Sequence, residues 1–523
     1  MIRNKRNEGI SFGASPKLIW PGKNELPIVV YAPIPYKYQT KCLNNNNHLE
    51  LLDDIYSSLS ECGCTTAIIG LSGDHVEKQL PVAERYNVNI IISAGGTWGI
   101  EHHCFDTLRT YMNNKNVVAW FSYDEPCPFQ WSDAFYKFNE KIKMNAGTLW
   151  SQLTVAYGLT SSLDPTRLSL FNLAAESDDT WAGSFGIPHI EYDAAPLSLK
   201  LEKARSYLNN LQTQFHPWIW SYDYYPIRSL LKENELVEGK YEVVNGQFET
   251  DYEKFFGYLG LYQKFTHDTQ SKYWAYGMCM EHDIFNNNNW DKLNCHYPTP
   301  TEGELRFEVF SALLYGAQGI SYYRYGLGVT AEEALNTNIN ATEKYKTGTK
   351  CIMAPISCNI NGDEVKIEKS IIWERLKKVN KEIKEFQHIF IGCNVMGHKQ
   401  FKGNSGILYE SILLYKGNIQ DIDDCIHIMG CTGKGLLLTS FTNQLSNGKT
   451  RHYVAVMNID PFNTCMFDFT VKKGVILPVK CHIVSSSSVS EGAIPGNNPE
   501  SNAKGYIRYV LKEGGMFAIY WDV

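Results

Sequence analysis

The sequence is poor in the features that would settle a function quickly. No apolar run approaches the roughly 18 residues needed to cross a bilayer. No dense basic stretch is present, and 49 Lys and Arg stand against 56 Asp and Glu, a formal net charge of −7. A nucleic-acid binder needs a cationic face that displaces counterions, so nucleic acid is excluded as the expected partner. The 14 cysteines show no zinc spacing: Cys62 and Cys64 form a lone C-x-C, and no His pair follows at ligand distance. They read as mostly free thiols, the majority small buried hydrophobes, and no metal or other cofactor is expected. The first residues, Met1 to Arg6, are basic, but Asn7 to Ser11 offer no apolar core for a signal peptide. Either the protein is cytosolic or the chain begins after a removed leader.

What is present is apolar residue, aromatic residue and alternation. Hydrophobic residues make up 44% and charged residues 20%, enough to build a large core. Tyr (32) and Trp (12) are plentiful, and their rings serve either core packing or a platform for the apolar face of a sugar.

Short apolar runs alternate with helical periods through the first two-thirds of the chain. Runs at 28–32, 66–70, 89–93 and 117–121 read as strands, with helices between them at 48–62, 75–86, 105–113 and 131–144. A fifth strand is expected at 149–156, followed by a long polar insertion over 160–194. Strands at 217–222, 273–280 and 319–323 complete the set, with helices at 197–211, 252–269, 304–315 and a closing helix at 367–386. Strands apolar on both faces belong in a parallel sheet covered by helices. Eight of them predict a (β/α)8 TIM barrel of the α/β class. A doubly wound open sheet is the competing architecture, disfavoured because no G-x-G-x-x-G follows the first strand. After residue 394 the texture becomes short β runs between Gly, Asn and Ser clusters, which predicts a C-terminal antiparallel β-sandwich. The expected division is a catalytic barrel over 1–393 and an accessory sandwich over 394–523. Asn44–Asn47 and Asn286–Asn289 fall in predicted loops and carry no assigned function.

A barrel keeps its chemistry where its strands end. Those ends gather carboxylates and rings: Trp98; Trp120-Phe121-Ser122-Tyr123-Asp124-Glu125-Pro126; Ser221-Tyr222-Asp223-Tyr224-Tyr225; Met280-Glu281-His282; and Tyr323-Arg324. Glycosidic cleavage needs one protonated and one ionised carboxyl, and Glu125 and Glu281 are the candidate pair. Bland alternatives stand beside each candidate. Asp-Glu-Pro could be a loop cap before the next helix, and Glu281 a surface carboxylate. Asp223 and Arg324 could be rim residues in backbone or ionic contacts, His282 a satisfied polar neighbour, and the tyrosines packing.

The run through Glu125 resembles the fourth-strand motif, Asn or Asp followed by Glu-Pro, of clan A glycoside hydrolases. Ser221 to Ile227, and the two segments Pro300 to Arg306 and Tyr315 to Ile320, resemble a β-galactosidase-like branch common in gut Bacteroidetes. The resemblance spans about 28–325. It implies a retaining hydrolase acting on a plant or host glycan, with Glu125 as acid/base and Glu281 as nucleophile. Asp223 or Glu191 is the next nucleophile candidate. Asp124, Trp98, Asp223, Tyr225, His282, Tyr323 and Arg324 are the expected substrate contacts. Asp124 stands where many family members carry an Asn that binds the sugar 2-hydroxyl. The resemblance also implies a periplasmic or extracellular setting. The alternative is a carbohydrate-binding barrel that has lost its chemistry, and a carboxylate-only hydrolase or lyase outside sugar chemistry comes third.

Overall fold

The computed structural model describes residues 25–70, 75–93, 95–96, 99–100, 104–124, 157–158, 160–174, 195–233, 241–286, 289–328, 349–471, 482–485, 488–491 and 507–523. Eight strands close into a parallel barrel: β1 Ile28–Tyr31, β2 Thr66–Gly70, β3 Asn89–Ser93, β4 Val117–Asp124, β5 Leu168–Ala174, β6 Ile219–Asp223, β7 Lys272–Met278 and β8 Ile320–Tyr323. Each strand pairs with its sequence neighbours, and β1 closes on β8. This is the (β/α)8 topology that the alternation predicts, a closed barrel in place of the competing doubly wound open sheet.

Two-residue periodicity sorts the barrel's side chains. Val29, Ile68, Ile91, Ala119, Leu168, Leu170, Ile219 and Trp274 fill the lumen. Their chain neighbours Ile28, Val30, Ala67, Ile69, Ile90, Ile92, Trp220 and Ala275 face the helices. Alternation across a strand sends successive Cβ atoms to opposite faces, so an unbroken apolar run satisfies both layers. The helix layer includes α1 Leu51–Glu61, α2 Val76–Arg85, α3 Cys104–Tyr111, α4 Leu197–Phe215, α5 Tyr252–Thr269, α6 Glu302–Leu314 and α7 Ile371–Phe390. Among these described helices none is long and apolar enough to cross a membrane.

The fifth strand lies elsewhere than expected, and the closing helix starts later, at Ile371, after a strand Glu364–Lys369. The fifth strand is Leu168–Ala174, inside the stretch read as a polar insertion; 149–156 lies outside the described residues. The strand is anchored by a buried ion pair, Asp164 to Arg167 at 2.8 Å. Arg167 also donates to the carbonyls of Val117, Met112 and Asn114, and Asp164 accepts from the Trp120 indole at 2.9 Å. Charges at the head of the strand therefore belong to its anchorage, not to a solvated loop.

The strand ends carry added structure. A hairpin of Ile227–Glu233 and Tyr241–Thr250 follows β6, and an antiparallel sheet of Glu281–Asn286, Asn289–Tyr297 and Thr349–Met353 follows β7 and β8. Beyond α7 lie β9 Asn394–Lys402, β10 Ile426–Cys431, β11 Gly435–Gln444, β12 Thr450–Asn458, β13 Cys465–Val471, β14 His482–Ser485, β15 Ser488–Glu491, β16 Ile507–Leu511 and β17 Met516–Asp522. They form antiparallel sheets ordered β9-β11-β12-β17-β14-β15 and β10-β13-β16. Leu436, Leu438, Val454, Val456 and Ile519 of the larger sheet pack against Ile428, Phe467 and Phe469 of the smaller one. The opposite face of the larger sheet, through Leu437, Phe441, Tyr453, Ala455 and Met457, joins the same core as the barrel helices.

Candidate active site

The register of three strands builds the centre of the barrel mouth. Asp124 on β4 lies opposite Asn172 on β5, and Asn172 lies opposite Ser221 on β6. Asp223 stands two residues beyond Ser221 and therefore on the same face. The Asn172 amide donates to Asp124 Oδ1 at 3.4 Å and to Asp223 Oδ1 at 3.3 Å. Its carbonyl oxygen accepts from the Ser221 hydroxyl at 3.0 Å, which fixes which way the amide points. Both carboxylates thus contact one nitrogen, which holds them together at the barrel mouth.

Asp124 is also approached by the Tyr31 hydroxyl of β1 at 3.4 Å. Burial raises its pKa to about 6, against the opposing pull of the Asn172 and Tyr31 hydrogen bonds. Near neutral pH this carboxyl is poised to hold or release a proton. Tyr276 on β7 also faces the lumen; burial raises its phenol's pKa, and the nearby charges of Asp124, Tyr31 and Asp223 push it further up.

An aromatic wall rises beside the pair. Tyr323, at the end of β8, packs against Tyr31 at 5.8 Å and Tyr225 at 6.2 Å between ring centroids. Tyr225 meets Tyr297 edge to face at 5.9 Å. His282 stacks on Tyr297 at 4.7 Å and turns its edge to Tyr323 at 6.2 Å. Its Nδ1 is buried without a hydrogen-bond partner. Burial, with a smaller effect from His296, lowers its pKa to about 3, so the ring is neutral at physiological pH. His296 is held by Asp283 at 2.6 Å.

The sequence candidates fall into three groups. Asp124, Asp223, Tyr225, His282 and Tyr323 lie in this contact network. Glu281 and Arg324 lie at its edge. β7 ends at Met278, short of the expected Met280, and Glu281 opens the rim strand Glu281–Asn286. The Glu281 carboxylate accepts from the Thr299 hydroxyl. Arg324 follows β8 and donates from Nε to the Gly326 carbonyl at 2.9 Å. Glu125, Trp98 and Glu191 lie outside the described residues.

Three contributors were missed. Asn172 falls in the misread stretch, although the alternation Leu168, Leu170 about Ser169 is a strand signal. Tyr31 ends a strand that was read correctly. Glu308, on α6, reaches under β7 and accepts from the Met278 amide at 2.6 Å, and burial drives its pKa well up. No motif marks it, since a carboxylate within an apolar helix reads as a surface position.

No family model matches the sequence, and no curated protein matches it either. Among solved structures it is similar to a family 1 β-glucosidase from Thermotoga maritima, at 10% identity and a TM-score of 0.37, over 69% of this chain and 98% of that one. An endo-β-1,4-mannanase from Thermotoga petrophila is similar at 10% identity and a TM-score of 0.35, over 95% of this chain and 90% of that one. An endo-1,4-β-mannanase from Rhizomucor miehei is similar at 8% identity and a TM-score of 0.34, over 62% of this chain and 95% of that one. The functional reading rests on the chain's own residues, not on these likenesses.

Proposed function

We propose that this chain is a glycoside hydrolase of clan A type, in the β-galactosidase-like branch that its motifs resemble, acting on a plant or host glycan. Glu125 is the acid/base and Glu281 the nucleophile of a retaining mechanism. The observation that carries the reading is the row Asp124–Asn172–Asp223 at the barrel mouth. It sets a carboxyl with a raised pKa immediately before Glu125 in the chain and beside an aromatic wall. Asp124, Asp223, Tyr225, His282, Tyr323, Arg324 and Trp98 are assigned to substrate contact. Residues 1–393 form the catalytic unit, and 394–523 pack against it without supplying a catalytic carboxylate.

In this mechanism Glu125 donates its proton to the leaving oxygen while Glu281 attacks the anomeric carbon. Water then releases the sugar, with Glu125 acting as base. The two carboxyl groups should stand about 5–5.5 Å apart. The Thr299 hydroxyl donates to the Glu281 carboxylate and helps to hold it in place.

A panel of aryl glycosides tests the assignment. Glu125→Gln is expected to lose several orders of magnitude on substrates with poor leaving groups and much less on activated ones, because only the former need the proton. Equal losses on both would remove Glu125 from the acid role. Oligosaccharide affinity without turnover in the wild type would favour the binding-protein reading.

A further inference from the structure

Of the eleven cysteines whose side chains are described, ten are buried and Cys431 alone is partly open to solvent. Cys431 ends β10, and its cross-strand partner on β13 is Phe467. Paired residues share a face, and Cys465, two residues before Phe467, shares it too. Both cysteines therefore point into the sandwich core at the same end of two adjacent strands. The pairing continues past them, since the Thr432 amide donates to the Met466 carbonyl at 2.9 Å and the Met466 amide to the Thr432 hydroxyl at 2.9 Å. This holds the two strand ends together. The Cys465 thiol donates to the carbonyl of Thr432, the residue next to Cys431, at 3.2 Å, and the two thiols lie close enough to perturb each other's ionisation.

We propose that Cys431 and Cys465 are a thiol-oxidation site, converted to an intramolecular disulfide by a small-molecule disulfide of the glutathione type. The Cys431 thiolate attacks one sulfur of glutathione disulfide and expels one glutathione thiolate. The Cys465 sulfur then attacks Cys431 and expels the second. Two protein thiols are oxidised, one disulfide is reduced to two thiols, and the two protons pass to the departing glutathiones. Accessibility assigns the order, since Cys431 can be reached from solvent and Cys465 cannot. The neighbouring Cys465 lowers the Cys431 pKa, which favours the attacking thiolate. The bridge would close the segment carrying β11 and β12, two of the strands that pack on the barrel helices.

The test is a peptide map of the full chain after incubation with glutathione disulfide and quenching with N-ethylmaleimide. A Cys431–Cys465 linked peptide is expected, with two of the 14 thiols lost, a mass decrease of about 2 Da and reversal by dithiothreitol. Cys465→Ser should trap glutathione on Cys431, whereas Cys431→Ser should leave Cys465 unmodified. Retention of both thiols in the wild type, or a stable glutathione adduct on wild-type Cys431, would overturn the proposal. The wild-type map decides even if Cys465→Ser fails to fold.

Discussion

At Asp124 burial and hydrogen bonding pull in opposite directions, and burial prevails, with a pKa raised from 3.8 to about 6. The native state therefore holds this proton more tightly than the unfolded chain does. The associated stability is fully present below the unfolded pKa and is lost as pH rises through about 6. Asp124→Asn keeps the shape and removes the ionisation. At pH 8 the variant should be more stable to urea than the wild type by roughly 1–3 kcal/mol, reduced from the full shift because the carboxyl is partly open to solvent. Near pH 4 the two should converge. A gap that does not change with pH would mean that Asp124 is not buried as an acid. His282 works in the opposite sense: its pKa lies near 3, so its contribution is present above the unfolded value and is lost as pH falls through about 3. Imidazole resonances should show it neutral at pH 5, and a midpoint near 6.5 would contradict its packing on Tyr297. Asp124 and His282 were legible as residues because each follows an apolar strand. Their environments were not, because Asn172, Tyr31 and Tyr297 reach them from elements distant in sequence.

Among the elements, α5 was read with its true ends, since Asp251 caps the Lys254 amide and the apolar period runs unbroken from Tyr252. β5 was misplaced because its head is charged and its length is interrupted by Ser169 and Asn172. Asp164, Arg167 and Asn172 find their partners inside the fold, a pairing that local pattern does not reveal. The Asp164–Arg167 pair, each residue only 2% exposed, makes this a strong test. Asp164→Ala leaves Arg167 buried beside a lost partner and should cost about 3–5 kcal/mol in urea unfolding. A cost below about 1 kcal/mol would indicate that water reaches the guanidinium. The rim strands Glu281–Asn286 and Asn289–Tyr297 were also missed, because an Asn-rich connection reads as loop. This is why Glu281 was assigned to a strand end that stops at Met278.

For the whole molecule, the barrel and sandwich textures were visible as a change in period near residue 394. Their shared core was not visible. Tyr315 of the barrel stacks on His398 of β9 at 4.0 Å, and the Tyr415 ring lies where a Cβ on Gly260 would stand, 2.1 Å from it. No side chain fits at Gly260 without moving that ring. Gly260→Val should lower the melting temperature by several degrees, and calorimetry of the wild type should show one cooperative transition. Separate barrel and sandwich transitions would contradict a common core.

The two-carboxylate account is tested most directly by following hydrolysis of an aryl glycoside by proton NMR from the first turnovers. The account predicts that the first sugar released keeps the anomeric configuration of the substrate and that Glu281→Gly abolishes this reaction, with added azide restoring turnover as the glycosyl azide of opposite configuration. An inverted first product from the wild type, or full activity in Glu281→Gly, would contradict it.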